Sequence, residues 1–244
     1  MTLSERIRLV RISNTSAAEE HRSSGSPDHD QSALVHRCDQ WRKAFRDANI
    51  AYPATLLTIP HAAKWIRESG CEVAARSPQG LGFALSARIA PARVIFHCGD
   101  ARGRAIHDAL ELGVGQFIVN SHTGVAMLAA CAERPQSVLV DVSSSAENDV
   151  ITRVLDEERL TLTGLYAEQD SPQEAVKRLA EQMADIRHRH GVLLCRMAVG
   201  VRGARHSLNA SAQSVDDTLE AGCARFHLPR PMLTICPDWS ALTV

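Results

Sequence analysis

The stretch Tyr52-Pro53-Ala54-Thr55-Leu56-Leu57-Thr58-Ile59-Pro60-His61-Ala62-Ala63-Lys64-Trp65-Ile66-Arg67-Glu68-Ser69-Gly70 decides the architecture. Its first half is a short apolar run. Its second half carries apolar residues at helical spacing and stops on a glycine, so the whole predicts a strand, a tight turn and a helix. The same unit recurs downstream: Cys71 to Ala75 precedes a helical run from Leu81 to Ala87, Arg93 to His97 precedes Arg104 to Leu112, and Gln116 to Val119 precedes Val125 to Ala132. Alternation at this spacing predicts a parallel sheet joined by crossover helices.

The rest of the chain continues the pattern. Strands are predicted over Ser137 to Val142, Leu160 to Leu165, Val192 to Met197 and Met232 to Cys236, with helices over Glu147 to Asp156, Pro172 to His190 and Ser214 to Ala221. Pro172 suits a first helical turn and Gly191 a helix stop. About eight strands in 244 residues make one (β/α)₈ TIM barrel, for which ~250 residues is typical. Upstream, Leu34, Cys38, Trp41, Phe45 and Ala48 recur at three- and four-residue intervals and predict an amphipathic helix from about Ala33 to Asn49 that leads into the first strand. Its Trp41 and Phe45 stripe reads as core. Met1 to Ile12 is a short mixed segment, and Asn14 to Gln31 is poor in apolar residues, so it reads as a mobile linker. The expected division is therefore an N-terminal segment and linker over 1–32 and a barrel over 33–244.

Composition excludes several classes. A formal net charge of −1 and 4% aromatic residues support neither phosphate tracking nor base stacking, which argues against a nucleic-acid partner. No apolar run approaches the ~20 residues of a membrane helix, and no signal peptide is visible, so the expected place is the cytoplasm. The seven cysteines are odd in number, scattered and without a C-x-x-C pair. They read as reduced thiols, with no metal site.

From about Arg37 onward the chain resembles the barrel domain of diaminopimelate decarboxylase and its ornithine and arginine decarboxylase relatives, the fold-type III pyridoxal-phosphate enzymes. The likeness is carried by Ala62-Ala63-Lys64-Trp65-Ile66-Arg67-Glu68-Ser69-Gly70, Val94-Ile95-Phe96-His97, Val114-Gly115-Gln116-Phe117-Ile118-Val119-Asn120-Ser121, Leu162-Thr163-Gly164-Leu165 and Phe226-His227-Leu228-Pro229-Arg230-Pro231. It implies an alanine-racemase-like barrel, here without the C-terminal β-domain that those decarboxylases carry.

The resemblance also implies where the chemistry should stand, and much of it differs. The family's first strand reads Tyr-Ala-x-Lys-Ala, with the lysine forming the cofactor's Schiff base. The tyrosine falls on Tyr52 and the lysine position on Thr55, and a hydroxyl cannot form an imine. Lys64 lies on the next helix as a solvated cation. The Ser/Thr-Gly-Gly-Glu stretch becomes Ser77-Pro78-Gln79-Gly80, and the His-containing segment after the sixth strand becomes Leu165-Tyr166-Ala167-Glu168. The glycine-rich phosphate stretch becomes Arg196 to Gly203, leaving Gly200 and Gly203, with Arg196, Arg202 and Arg205 able to attract an anion. Glu-Pro-Gly-Arg becomes Cys236-Pro237-Asp238-Trp239, and the substrate-loop insert after Asp141 is absent.

The polar residues left at strand ends are His97, Asp100, Asp141 and Glu168. Alternation points His97 and Cys98 to opposite sides of their strand, so they form no dyad, and a hydrogen-bonded core histidine is expected. The reading that follows is a catalytically silent, decarboxylase-like barrel with a binding or regulatory role. It carries no pyridoxal phosphate and has a protein partner, a second copy of itself or a small anionic ligand as its target. The alternatives are an active enzyme, decarboxylase-like or of other chemistry at the strand ends, and a pyridoxal-phosphate carrier. A silent barrel is expected to fill its mouth with Leu56, Phe96 and Tyr166.

Overall fold

Eight parallel strands close on themselves in sequence order. The computed structural model describes residues 27–99, 103–143, 147–203 and 207–243. Helix α1 (Pro27–Ala44) leads to β1 (Asn49–Pro53), a 3₁₀ turn (Ala54–Thr58) and α2 (Pro60–Ser69). Then follow β2 (Glu72–Ala75), α3 (Pro78–Ser86), β3 (Val94–His97), α4 (Gly103–Glu111), β4 (Gln116–Val119) and α5 (His122–Cys131). The second half contains β5 (Gln136–Asp141), α6 (Glu147–Leu155), β6 (Leu160–Gln169), α7 (Pro172–His190), β7 (Arg196–Val201), α8 (Leu208–Phe226), β8 (Met232–Pro237) and the short α9 (Trp239–Leu242). Closure is made by β8 on β1, with Asn49 opposite Thr234 and Ile50 opposite Ile235.

Side chains alternate between the barrel interior and the helix layer. One residue from each strand, namely Ala51, Ala74, Ile95, Ile118, Leu139, Tyr166, Ala198 and Cys236, forms a buried cluster separate from the outer core. Small side chains on β7, β8, β1 and β2 leave the room that Tyr166 fills, as close packing requires. The outer core holds Leu56, Phe96 and Cys98. Of the three residues expected to fill the mouth, only Tyr166 therefore stands inside the barrel; Leu56 lies on the 3₁₀ turn, and Phe96 faces the helices because His97 takes the inward register.

Helix α1 packs against both α2 and α8, on the side of the barrel where β8 meets β1. Trp41 and Phe45 stack at 5.5 Å between ring centroids, and the Tyr52 hydroxyl donates to the Cys38 carbonyl at 2.7 Å. That bond ties the helix to the first strand. Tyr52→Phe is expected to cost about 1 kcal/mol in urea denaturation with an unchanged slope, the usual net value of a buried hydrogen bond. A change below the error of the measurement would mean that packing alone holds α1.

Several expected boundaries differ. Helix α8 runs Leu208–Phe226 rather than Ser214 to Ala221, and β6 continues to Gln169 rather than ending at Leu165. Helix α1 runs Pro27–Ala44 rather than from Ala33 to Asn49, so Pro27 to Gln31, expected in the linker, are helical; proline suits a first turn. The remainder of the expected linker, and the segment before it, lie outside the described residues. Strand β1 is Asn49–Pro53, earlier than the apolar run from Tyr52, because Ala54–Thr58 winds into the 3₁₀ turn. Strand β7 begins at Arg196 and not Val192, in register from Gly164 opposite Arg196 to Gln169 opposite Val201. Leu193 is left 53% exposed. Among the described residues no helix is long and apolar enough to cross a membrane, and all seven cysteines are unpaired.

Candidate functional site at the strand ends

In a barrel of this kind the strand C-terminal ends gather side chains from segments far apart in sequence. Two residues beyond each member of the interior cluster, the alternation brings Arg76 after β2, His97 on β3, Asp141 on β5, Glu168 on β6, Gly200 on β7 and Asp238 after β8 to the same end.

Glu168 is the hub. Its Oε2 accepts from Arg76 Nη2 at 2.9 Å and from the Tyr166 hydroxyl at 3.1 Å, and its Oε1 accepts from Arg202 Nε at 2.8 Å. Arg76 Nη2 also donates to Tyr166 Oη at 2.5 Å, and its guanidinium lies 5.8 Å from the tyrosine ring centroid. The Glu168 amide donates to Ser143 Oγ at 2.9 Å, and that hydroxyl donates to Asp141 Oδ1 at 2.6 Å. The Arg76 and Arg202 side chains are open to solvent, at 52% and 60%, whereas that of Glu168 is 15% exposed. Burial acts to raise the Glu168 carboxyl, but the Arg202 and Arg76 hydrogen bonds and charges outweigh it and hold it below the usual carboxylate range.

His97 packs edge-on against Tyr166, with ring centroids 5.2 Å apart. Only 9% of it is exposed, and its Nε2 is buried without a hydrogen-bond partner. Burial first, and then the Arg76 charge, lower its pKa to about 3, with Glu168 pulling the other way. It is a neutral imidazole at ordinary pH. The expected hydrogen-bonded core histidine is thus corrected: it is a core residue, but its Nε2 is buried without a hydrogen-bond partner.

Gly200 lies inside β7, not in a loop. A Cβ there would meet Tyr166 Oη at 2.3 Å and Glu168 Cγ at 2.9 Å, so its missing side chain is the space in which the tyrosine hydroxyl sits. Gly203, at φ +60°, turns its N–H to Ser240 Oγ at 3.0 Å and Asp238 Oδ1 at 3.4 Å. Asp238 Oδ1 also accepts from Ala241 N at 2.9 Å and Ser240 Oγ at 2.8 Å, capping α9. Arg196 stands at the other end of β7, where Nη1 donates to Gln116 Oε1 at 2.7 Å. It takes no part in the mouth.

Thr55 is on the 3₁₀ turn after β1 and exposed, rather than on the strand. Asp100 and Arg205 lie outside the described residues. Asp141 and Glu168 are brought together through Ser143, and Arg202 joins them through Glu168. Sequence reasoning missed Arg76 as a member of the site, and with it the polar character of the mouth, which was expected to close over with apolar side chains. The available signal was its position: Arg76 follows an apolar strand directly, in the inward register.

Residues 31–161 match the family model described as pyridoxal-dependent decarboxylase, pyridoxal binding domain. Diaminopimelate decarboxylase from Actinosynnema pretiosum subsp. auranticum is 27% identical over 118 residues, which cover 48% of this chain and 27% of that protein. The enzyme of the same name from Mycobacterium leprae is 30% identical over 122 residues, covering 48% and 26%. The chain thus spans about a quarter of the length of these curated relatives. Among solved structures, diaminopimelate decarboxylase from M. jannaschi superposes with a TM-score of 0.74 at 14% identity, covering 86% of this chain and 60% of that one. Ornithine decarboxylase from Entamoeba histolytica superposes at 0.72 with 16% identity, covering 85% and 62%. These structural likenesses concern the fold. With a closed eight-stranded barrel and a family match over more than half of its residues, this chain belongs to the pyridoxal-dependent decarboxylases through their pyridoxal-binding domain.

Proposed function

We propose that this barrel is a catalytically silent member of its family, working in the cytoplasm, and that it acts by binding rather than by decarboxylation. The observation that carries this reading is the occupation of the mouth by Arg76, Tyr166, Glu168 and Arg202, bonded to one another from three different strand ends. The groups needed to hold pyridoxal phosphate do not fit there. An imine requires an amine near the strand ends, yet the chain has three lysines, Lys43, Lys64 and Lys177. All three stand exposed on the outer helices α1, α2 and α7. A phosphate cradle requires free backbone donors, yet the Gly203 N–H faces Ser240 and the Asp238 carboxylate. That carboxylate would also repel the phosphate.

Purified protein titrated with stoichiometric pyridoxal phosphate is expected to develop no aldimine absorbance, and borohydride followed by peptide mapping should find no single modified lysine. Thr55→Lys should likewise release no carbon dioxide from diaminopimelate, ornithine, lysine or arginine, because position 55 is on an exposed turn and the mouth beside it is filled. One stoichiometric lysine adduct together with turnover of any of those amino acids would overturn the reading in favour of an active decarboxylase. A stoichiometric adduct without turnover would favour a cofactor carrier.

A further inference from the structure

We propose that the protein pairs with a second copy of itself through the groove between α7 and α8, the two α8 helices running antiparallel about a twofold axis at Ala221. The inference goes beyond the binding role proposed above and does not depend on the state of the strand ends.

A groove of about 630 Å³ runs between these two helices on the outside of the barrel. Its surface is mostly apolar and includes Ala210, Ala221, Gly222 and Phe226. A Cβ at Gly222 would meet Ala180 Cβ at 3.0 Å, so α7 and α8 are already in contact there and cannot close the groove by moving together. Four charged residues border it, Lys177 and Glu181 on α7 and Asp217 and Arg225 on α8. Among the described residues none of the four is in an ion pair. Other exposed helical charges do pair, as Arg153 with Glu157 and Arg189 with Asp185.

Charge decides the occupant. Two cations and two carboxylates cancel, which gives no field to attract a polyanion or an anionic membrane and suits a partner with the same balance. Their order along α8 makes the surface complementary to itself. Asp217 and Arg225 lie four residues to either side of Ala221, and all three are exposed on one stripe of the helix. The two charges are eight residues apart, about 12 Å along the axis, too far to pair with each other. In a second α8 laid antiparallel with Ala221 on the axis, Asp217 of each copy stands opposite Arg225 of the other. Two equal ion pairs then form together, the isologous pattern of a twofold dimer. The alanine at the centre lets the two helix backbones approach closely, and Glu181 borders the groove that receives the second copy's Arg225.

Sedimentation equilibrium of the purified chain is expected to show a reversible monomer–dimer equilibrium with a dissociation constant on the order of 10–100 μM, because the contact is short and its ion pairs are exposed. Asp217→Arg and Arg225→Asp each set like charges against one another twice, and each should weaken the dimer by at least about tenfold. Mixed in equal amounts, these two variants should form a heterodimer of near-natural affinity, since each carries the charge that the other has lost. Ala221→Arg, at an exposed position where arginine is a good helix former, should abolish association by placing two cations on the axis. Urea midpoints of the three variants, measured at dilutions where every form is monomeric, should match that of the natural protein. A natural chain that stays monomeric up to about 1 mM, single variants that dimerise as it does, or mixed variants that fail to pair would each overturn the proposal.

Discussion

Gly200→Ala is expected to destabilise the barrel by about 3 kcal/mol, the upper part of the usual range for overpacking a filled interior. The added methyl would be placed 2.3 Å from Tyr166 Oη and 2.9 Å from Glu168 Cγ. Tyr166 is fully buried and cannot swing aside without leaving Arg76 Nη2 and Glu168 Oε2 short of a partner. Tyr166→Phe removes the atom that the methyl strikes. The double variant is therefore expected to be more stable than the sum of the two single losses by about 1–2 kcal/mol in a denaturation cycle. Gly164→Ala provides the contrast: its methyl would meet the Arg196 carbonyl oxygen at 2.0 Å, a backbone atom that no side-chain change relieves. Additive losses at Gly200 and Tyr166 would show that the tyrosine hydroxyl is not seated in the glycine's space.

The second large effect is acid sensitivity at His97. Its pKa is lowered from 6.5 to about 3 by burial and by the Arg76 charge. The unfolded chain therefore binds a proton at this residue, while the folded chain does not, throughout that interval. Stability is full above about pH 6.5 and falls as the pH drops towards 3, by at most a factor of about ten in the folding constant per pH unit. Among the described residues, Arg76 and Glu168 act on the ring through their charges and Tyr166 packs against it. Glu168 also loses its stabilising contribution in acid, but it does so below its ordinary value of 4.5, so the histidine is read between pH 6.5 and about 5. Denaturant midpoints measured across that window should fall for the natural protein and stay nearly level for His97→Asn. Equal slopes for the two proteins would mean that His97 takes up its proton in the folded state as easily as in water.

The sequence by itself determined the class of fold, because period-two and period-3.6 patterns are local and each strand–helix unit carries its own. Pro172 and Gly191 bounded their helix as expected, with Gly191 left-handed at φ 67°, since caps depend on a few adjacent residues. That residue 55 is a threonine is likewise a fact of the sequence alone. Barrel closure decided the rest. Whether β7 starts at Val192 or Arg196 depends on its register with β6, and that register turns Gly200 from a loop glycine into the hollow for Tyr166. Arg76 and Glu168 are 92 residues apart, and no periodicity links them. They meet because a closed barrel puts the inward residues of remote strands at one end, where burial of one carboxylate draws in whichever guanidiniums the geometry brings within reach.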